Sequence, residues 1–182
     1  MSEKYKVRNP EGLYFITLTI VDWIDIFTRP VYKQIIIDSL KYCIHNKGLE
    51  LYAYVIMPSH IHLIVSSGHG FELSETIKDF KKYTSKKIVQ CIKEYSESRR
   101  EWILEKFSFA ADKIKRGVNY KLWQDGFHPV ELDTNAIIDQ RLDYLHNNPV
   151  EEEIVEKPED YLYSSARNYC GMIGVIDVTR IE

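Results

Sequence analysis

Residues 49 to 66 constrain the fold more than any other stretch. Leu49 to Met57 reads as one strand, ended by Pro58. His60-Ile61-His62-Leu63-Ile64-Val65-Ser66 alternates as a second, and Pro58-Ser59 is short enough to be a tight connection between them. Two strands joined so closely pair antiparallel. Around this pair the chain offers a strand at Tyr14 to Val21, rich in β-branched and aromatic residues, and a helix from Pro30 to Asn46 closed by Lys47-Gly48. Ser74 can cap a helix to about Tyr95 that carries Ile77, Phe80, Ile88 and Cys91 down one side. A further helix is expected around Arg99 to Phe107, with two short strand candidates at Lys121 to Gln124 and Val130 to Leu132. Asp133 or Thr134 then caps a helix with Ile137, Ile138, Leu142 and Leu145, stopped by Pro149, and Pro158 to Tyr169 looks like a last short helix. The expected fold class is α+β: an antiparallel sheet covered by helices.

A length of 182 residues suits a single domain over 1–182, with a core at about 14–169 and an acidic C-terminal extension. Hydrophobic residues at 45% and charged residues at 28% are globular composition, enough for a full core without disulfide staples. No apolar run approaches the roughly 18 to 20 residues of a membrane span, so no membrane is expected as a partner. Met1 to Lys6 carries no apolar stretch of the signal-peptide kind, and Cys43, Cys91 and Cys170 form no CxxC pair. Both point to a reducing, cytoplasmic setting.

The formal net charge of −3 weighs against nucleic acid, whose binding depends on phosphate neutralisation. The sum hides an uneven distribution. From Lys78 to Arg116 the chain carries Lys81, Lys82, Lys86, Lys87, Arg99, Arg100 and Lys115 among other cations, and the compensating acids cluster later, at Glu151-Glu152-Glu153 and from Glu156 to Asp160. A basic middle third leaves nucleic acid open.

Two features can carry chemistry. His60 and His62 lie two apart in a strand, so both imidazoles project from one face, about 7 Å apart at Cα, while Ile61, Leu63 and Val65 face the other way. Such a pair can share one divalent ion but needs a third ligand. Tyr144 and Asn148, in Asp143-Tyr144-Leu145-His146-Asn147-Asn148-Pro149, are four apart and share a helix face. A tyrosine hydroxyl is a nucleophile where its phenolate is stabilised, and an amide oxygen can complete a two-histidine metal site. Tyr83 is the competing tyrosine, but its i+4 neighbour, Lys87, is no metal ligand. His146 falls nearly opposite Tyr144 on the helix, and His128 precedes Pro129 in a turn with its role open.

Taken together, Met57-Pro58-Ser59-His60-Ile61-His62-Leu63-Ile64-Val65 resembles the His-hydrophobe-His strand of the single-tyrosine (Y1) transposases related to insertion sequence 200, of the HUH superfamily. Leu122 to Phe127, Asp143 to Val150, and Lys157 to Tyr161 with Ser164-Ser165-Ala166 are similar to the branch associated with repeated extragenic palindromes (REP), in the same order. The resemblance spans about Tyr14 to Tyr169. It implies a ferredoxin-like domain that binds DNA hairpins and cuts single-stranded DNA beside them. Tyr144 stands where the family's nucleophile stands, forming a 5′-phosphotyrosine. Asn148 stands where the family has a helix-borne amide ligand, a glutamine in close relatives. With His60 and His62 it would hold one Mg²⁺ or Mn²⁺.

The same reading assigns DNA contacts to Lys81, Lys82, Tyr83, Lys86, Lys87, Arg99 and Arg100. The expected partner is single-stranded or hairpin DNA, with a homodimer allowed, since insertion-sequence relatives exchange the tyrosine helix between two chains. A Tyr144 close to its own His60 and His62 would favour a monomer acting in cis. The alternatives are a domesticated module that recognises palindromic repeats without turnover, a small zinc protein (which lacks the usual four nitrogen and sulfur ligands), and a relaxase or replication initiator, which would share the metal strand but not the Tyr144 helix context.

Overall fold

The computed structural model describes residues 7–113 and 117–181; Met1 to Lys6, and the Lys115 and Arg116 of the basic run, lie outside the described residues. The elements are β1 (Tyr14–Thr19), α1 (Pro30–Asn46), β2 (Leu49–Ile56), β3 (His60–Ser67), α2 (Leu73–Glu94), α3 (Arg100–Asp112), β4 (Val130–Glu131), α4 (Asn135–Glu151) and α5 (Ala166–Tyr169). The four strands form one antiparallel sheet in the order β2-β3-β1-β4. With α1 joining β1 to β2 and α2 and α3 lying between β3 and β4, this is the ferredoxin-like arrangement.

Strand alternation divides the interior in two. Ile16 and Leu18 of β1 and Ile61, Leu63 and Val65 of β3 pack with Ile36 and Leu40 of α1 and with Ile77, Phe80 and Ile88 of α2. On the other face Phe15, Ala53, Val55 and Ile64 pack with Leu145 of α4 and with Tyr161. Thus α1 and α2 cover one face and α4 the other. His60 and His62, alternating with Ile61 and Leu63, belong to the α4 face.

Local details depart from the sequence-based boundaries. β1 stops at Thr19 because the chain turns through Val21–Trp23, where Asp22 and Trp23 adopt positive φ of 53° and 54°. Lys121 to Gln124 makes no strand; only Trp123 bridges to Ile20, and its indole Nε1 donates to Thr84 Oγ1 at 3.0 Å. α2 begins at Leu73 with Glu72 at its cap, so Ser74 lies inside the helix. α3 runs on to Asp112. Thr134 does cap α4, its hydroxyl accepting from Ile137 N at 3.4 Å. Pro149 does not stop that helix, which continues to Glu151. A proline removes a single backbone donor, and beyond it the turn is closed by Glu152 N donating to Asn148 O at 3.0 Å. Pro158 to Tyr169 splits into a 3₁₀ turn at Pro158–Asp160 and the short α5. Among the described residues no helix is long and apolar enough to cross a membrane, and all three cysteines are free.

Candidate active site

The site forms where β3 passes beneath α4. Thr17 pairs with His62 and Thr19 with His60 across β1 and β3, and Val55 of β2 pairs with His62 on the other side. Directly opposed residues share a face, so the histidines lie on a patterned floor rather than at an edge. Both are buried, at 6% and 5% exposure. Their rings stand 4.7 Å apart between centroids.

Each ring is oriented by a neighbour. His62 Nδ1 lies 2.9 Å from Thr17 Oγ1, and Phe15 stacks on the ring at 5.1 Å. His60 Nδ1 lies 3.3 Å from Ser59 Oγ, and Trp23 meets the ring edge-on at 5.6 Å. Burial holds the His60 pKa below the ordinary histidine range, offset in part by a hydrogen bond with the Asn148 side chain. Burial pushes His62 down to about 3, helped by His60 and by the positive charge of Arg141. Both imidazoles are therefore neutral near pH 7, the form that can donate a lone pair.

α4 brings its own residues over this floor. The Tyr144 ring lies 5.5 Å from that of His62 and 6.0 Å from that of Phe15, and the side chain keeps 39% of its exposure. Asn148 is buried, and its Nδ2 donates to Tyr144 O at 3.0 Å. That bond uses one of the two amide N–H groups, and the same side chain also hydrogen-bonds His60. His146 is not exposed: its Nε2 lies 2.9 Å from Ser165 Oγ, which in turn accepts from Tyr54 N at 2.9 Å. The helix is thereby tied to β2 through a buried hydroxyl, which fixes the register of Tyr144 above the sheet.

His62 Nε2 is buried and has no hydrogen-bond partner among the described residues. An unpartnered nitrogen in such a place costs about 1–3 kcal/mol unless a ligand meets it. Two neutral imidazoles and an amide oxygen are a fitting donor set for a divalent ion that keeps open positions. Among the described residues no group of three His, Cys, Asp or Glu side chains is placed to hold a metal, so an all-histidine, cysteine or carboxylate site of the structural zinc kind is not formed.

His60, His62, Tyr144 and Asn148 thus meet, all from one chain. The seven residues read as DNA contacts do not converge on them. Lys82, Tyr83, Lys86 and Lys87 lie exposed on α2, on the opposite face of the sheet, where with Tyr42 and Asp79 they line a groove between α1 and α2. Lys81 is turned inward instead: its Nζ donates to Gln124 O at 2.7 Å and to Gly126 O, and burial lowers its pKa to about 8. Arg99 pairs with Asp25 at 2.6 Å, and Arg100 donates to Ile92 O and Tyr95 O, closing the end of α2. His128 is exposed and has a positive φ of 45°.

Sequence reasoning missed Thr17, Ser59, Phe15 and Arg141. Thr17 and Phe15 were legible only as alternate residues of a strand whose partner register was unknown. Arg141, three residues before Tyr144, carried a helical-spacing signal that was available.

The family model described as "Transposase IS200 like" matches residues 24–112, just under half of the chain, including β3 with its histidines. Among solved structures the chain is similar to a REP-associated tyrosine transposase bound to a REP hairpin, with 19% identity, 100% of this chain and 96% of that chain covered, and a TM-score of 0.66. A putative transposase from Deinococcus radiodurans matches more distantly, at 16% identity over 80% of this chain and 96% of that one, with a TM-score of 0.45. No curated protein matches the sequence significantly. The first of the two structures shares the fold over the whole chain, and the match to the IS200-like transposase model falls on the segment that holds the histidine strand.

Proposed function

We propose that the chain is a metal-dependent transesterase that cuts and rejoins single-stranded DNA beside hairpins, with Tyr144 as nucleophile acting in cis. The observation that carries this reading is the Tyr144 ring lying 5.5 Å from that of its own His62, whose Nε2 is buried without a partner among the described residues. His60, His62 and Asn148 would hold one Mg²⁺ or Mn²⁺, which when bound supplies Lewis-acid polarisation of a phosphate oxygen. The solved relative with the same fold is described as bound to a REP hairpin, which supports hairpin DNA as the ligand class.

The chain's own residues then do the following. Tyr144 loses its hydroxyl proton and attacks phosphorus; the bond from phosphorus to the 3′ oxygen breaks, and that oxygen takes up a proton to leave as a 3′-hydroxyl. The 5′ side stays linked to Tyr144 as a phosphotyrosine. Because the phosphodiester is conserved in the link, a second 3′-hydroxyl can reverse the step and join strands with no other energy source. Free phenol has a pKa near 10, which makes the tyrosyl oxygen a fair leaving group as well as a nucleophile. Asn148 ties its amide to the Tyr144 carbonyl, so nucleophile and ligand move as one helical unit. Lys82, Lys86 and Lys87 would grip phosphates in a sequence-independent way, with Tyr83 beside them as a surface for stacking an unpaired base.

The test is covalent trapping. Wild type and Tyr144→Phe are mixed with end-labelled single strands from the palindromes flanking the chain's own gene, with Mn²⁺ or with chelator, and run on denaturing gels. An adduct that needs both Tyr144 and metal is the expected result. An adduct that survives Tyr144→Phe moves the nucleophile, to Tyr83 first. Tight hairpin binding with no adduct from wild type favours the binding module without turnover.

A further inference from the structure

We infer that Arg141 is the phosphate-binding cation of this site, gripping a non-bridging oxygen of the scissile phosphate while Tyr144 attacks; this rests on the transesterase reading above. Arg141 sits three residues before Tyr144 and seven before Asn148, so the three side chains fall on one face of α4. Helical rise places the Arg141 Cα about 4.5 Å along the helix axis from that of Tyr144, toward the start of the helix, with Asn148 on the other side. Side chains on a helix lean toward its N-terminus, so the phenol leans toward the arginine.

The surroundings of Arg141 point to an anion. Its guanidinium carbon lies 5.2 Å from the Phe15 ring centroid, over the same ring that stacks on His62 and meets Tyr144 edge-on. Its charge is close enough to help depress the His62 pKa. Yet the Arg141 side chain has no carboxylate partner and makes no hydrogen bond among the described residues, and its Nε is buried with nothing to donate to. A guanidinium carries five donors in a rigid fork matched to phosphate oxygens. Three other cations that approach the interior find acceptors, Lys81 in two carbonyls, Arg29 in Glu97 and Arg99 in Asp25, while Lys33 rests over the Tyr163 ring, away from the site. Arg141 is held against an aromatic ring, beside the nucleophile, with its donors unspent.

The chemistry gives such a group work to do. As the tyrosyl oxygen adds, charge on the non-bridging oxygens grows, and a donor fixed beforehand at that position stabilises the transition state more than the ground state. The same interaction would hold the phosphotyrosine while the second 3′-hydroxyl arrives.

The experiment is a chemical double-mutant cycle. Single-turnover adduct formation is measured for wild type, Arg141→Gln and Arg141→Lys, on a strand with a native phosphate and on strands with each isomer of a methylphosphonate at the cleaved linkage. Removing one such donor is expected to slow the native reaction by about 10²- to 10³-fold, with Arg141→Lys between, and with hairpin affinity within about twofold of wild type. On the methylphosphonate isomer that lacks the oxygen Arg141 grips, wild type should lose most of its advantage over Arg141→Gln. A penalty that is equal on all three substrates, or a loss of hairpin affinity that accounts for the slowing, overturns the assignment. If wild type forms no adduct with any strand, the transesterase reading fails. Arg141 is then judged by equilibrium binding of Tyr144→Phe protein to the same three strands, where the loss on methylphosphonate substitution must disappear with Arg141→Gln or the assignment falls.

Discussion

Thr17→Val isolates the part of the site that neither touches DNA nor serves as a ligand. Valine matches threonine in shape, so no cavity opens, and the change reduces to the hydrogen bond at 2.9 Å between Oγ1 and His62 Nδ1. For His62 Nε2 to present a lone pair, Nδ1 must carry the ring proton and donate it to Thr17. Leaving that buried N–H unpaired costs about 1–3 kcal/mol. Thr17 is itself half-buried, so water can replace part of the bond, and the lower end, about 1 kcal/mol, is expected. In a chain of this size that lowers Tm by about 2–4 °C. The larger effect falls on the metal: loss of a partner that orients a ligand histidine weakens affinity by about 10- to 100-fold. Mn²⁺ titration by calorimetry or electron paramagnetic resonance, with a parallel thermal melt, reads both quantities. Thr17→Ser, which keeps the oxygen, should behave like wild type. Unchanged Mn²⁺ affinity in Thr17→Val, or Thr17→Ser impaired to the same degree, would refute the reasoning.

Three further outcomes are expected. His62 and His146 have folded pKa values depressed to about 3 and about 4, both through burial first, so the unfolded chain takes up protons below about pH 6.5 that the native chain refuses. Their contribution is full above that pH and is lost as pH falls, by about 2 kcal/mol each at pH 5; a thermal melt as stable at pH 5 as at pH 7.5 would contradict this. Replacing Lys82, Lys86 and Lys87 together by Gln should weaken single-strand binding and reduce the slope of log affinity against log salt by about 0.7 for each phosphate no longer neutralised. Lys81→Gln should instead lower Tm and leave the slope unchanged, because its donors are spent on Gln124 and Gly126.

Where local rules decide, the sequence was sufficient. The period of two in His60 to Ser66 placed both imidazoles on one face, and the tight Pro58-Ser59 link made β2 and β3 antiparallel, as observed. The spacing of four put Tyr144 and Asn148 on one turn of α4. The antiparallel α+β class followed from the same patterns, and the ferredoxin-like order from the ordered set of family motifs. Boundaries were less secure, because they depend on single backbone conformations. No pattern announces that Asp22 and Trp23 take positive φ and end β1 at Thr19, or that a helix carries on past Pro149.

Only the tertiary structure decided which cations remain available. Lys81, Lys82, Arg99, Arg100 and Arg141 are alike as letters, and what separates them is the presence of an acceptor from a distant part of the chain. Asp25 meets Arg99, and the Gln124 carbonyl meets Lys81, while among the described residues no acceptor meets the Arg141 side chain. The meeting of Tyr144 with His62 is of the same kind. The sequence determines what each short segment presents on its own faces, because helix and strand periods are local; which faces oppose one another is set by how the sheet and helices pack, and that packing is paid for by the whole core at once.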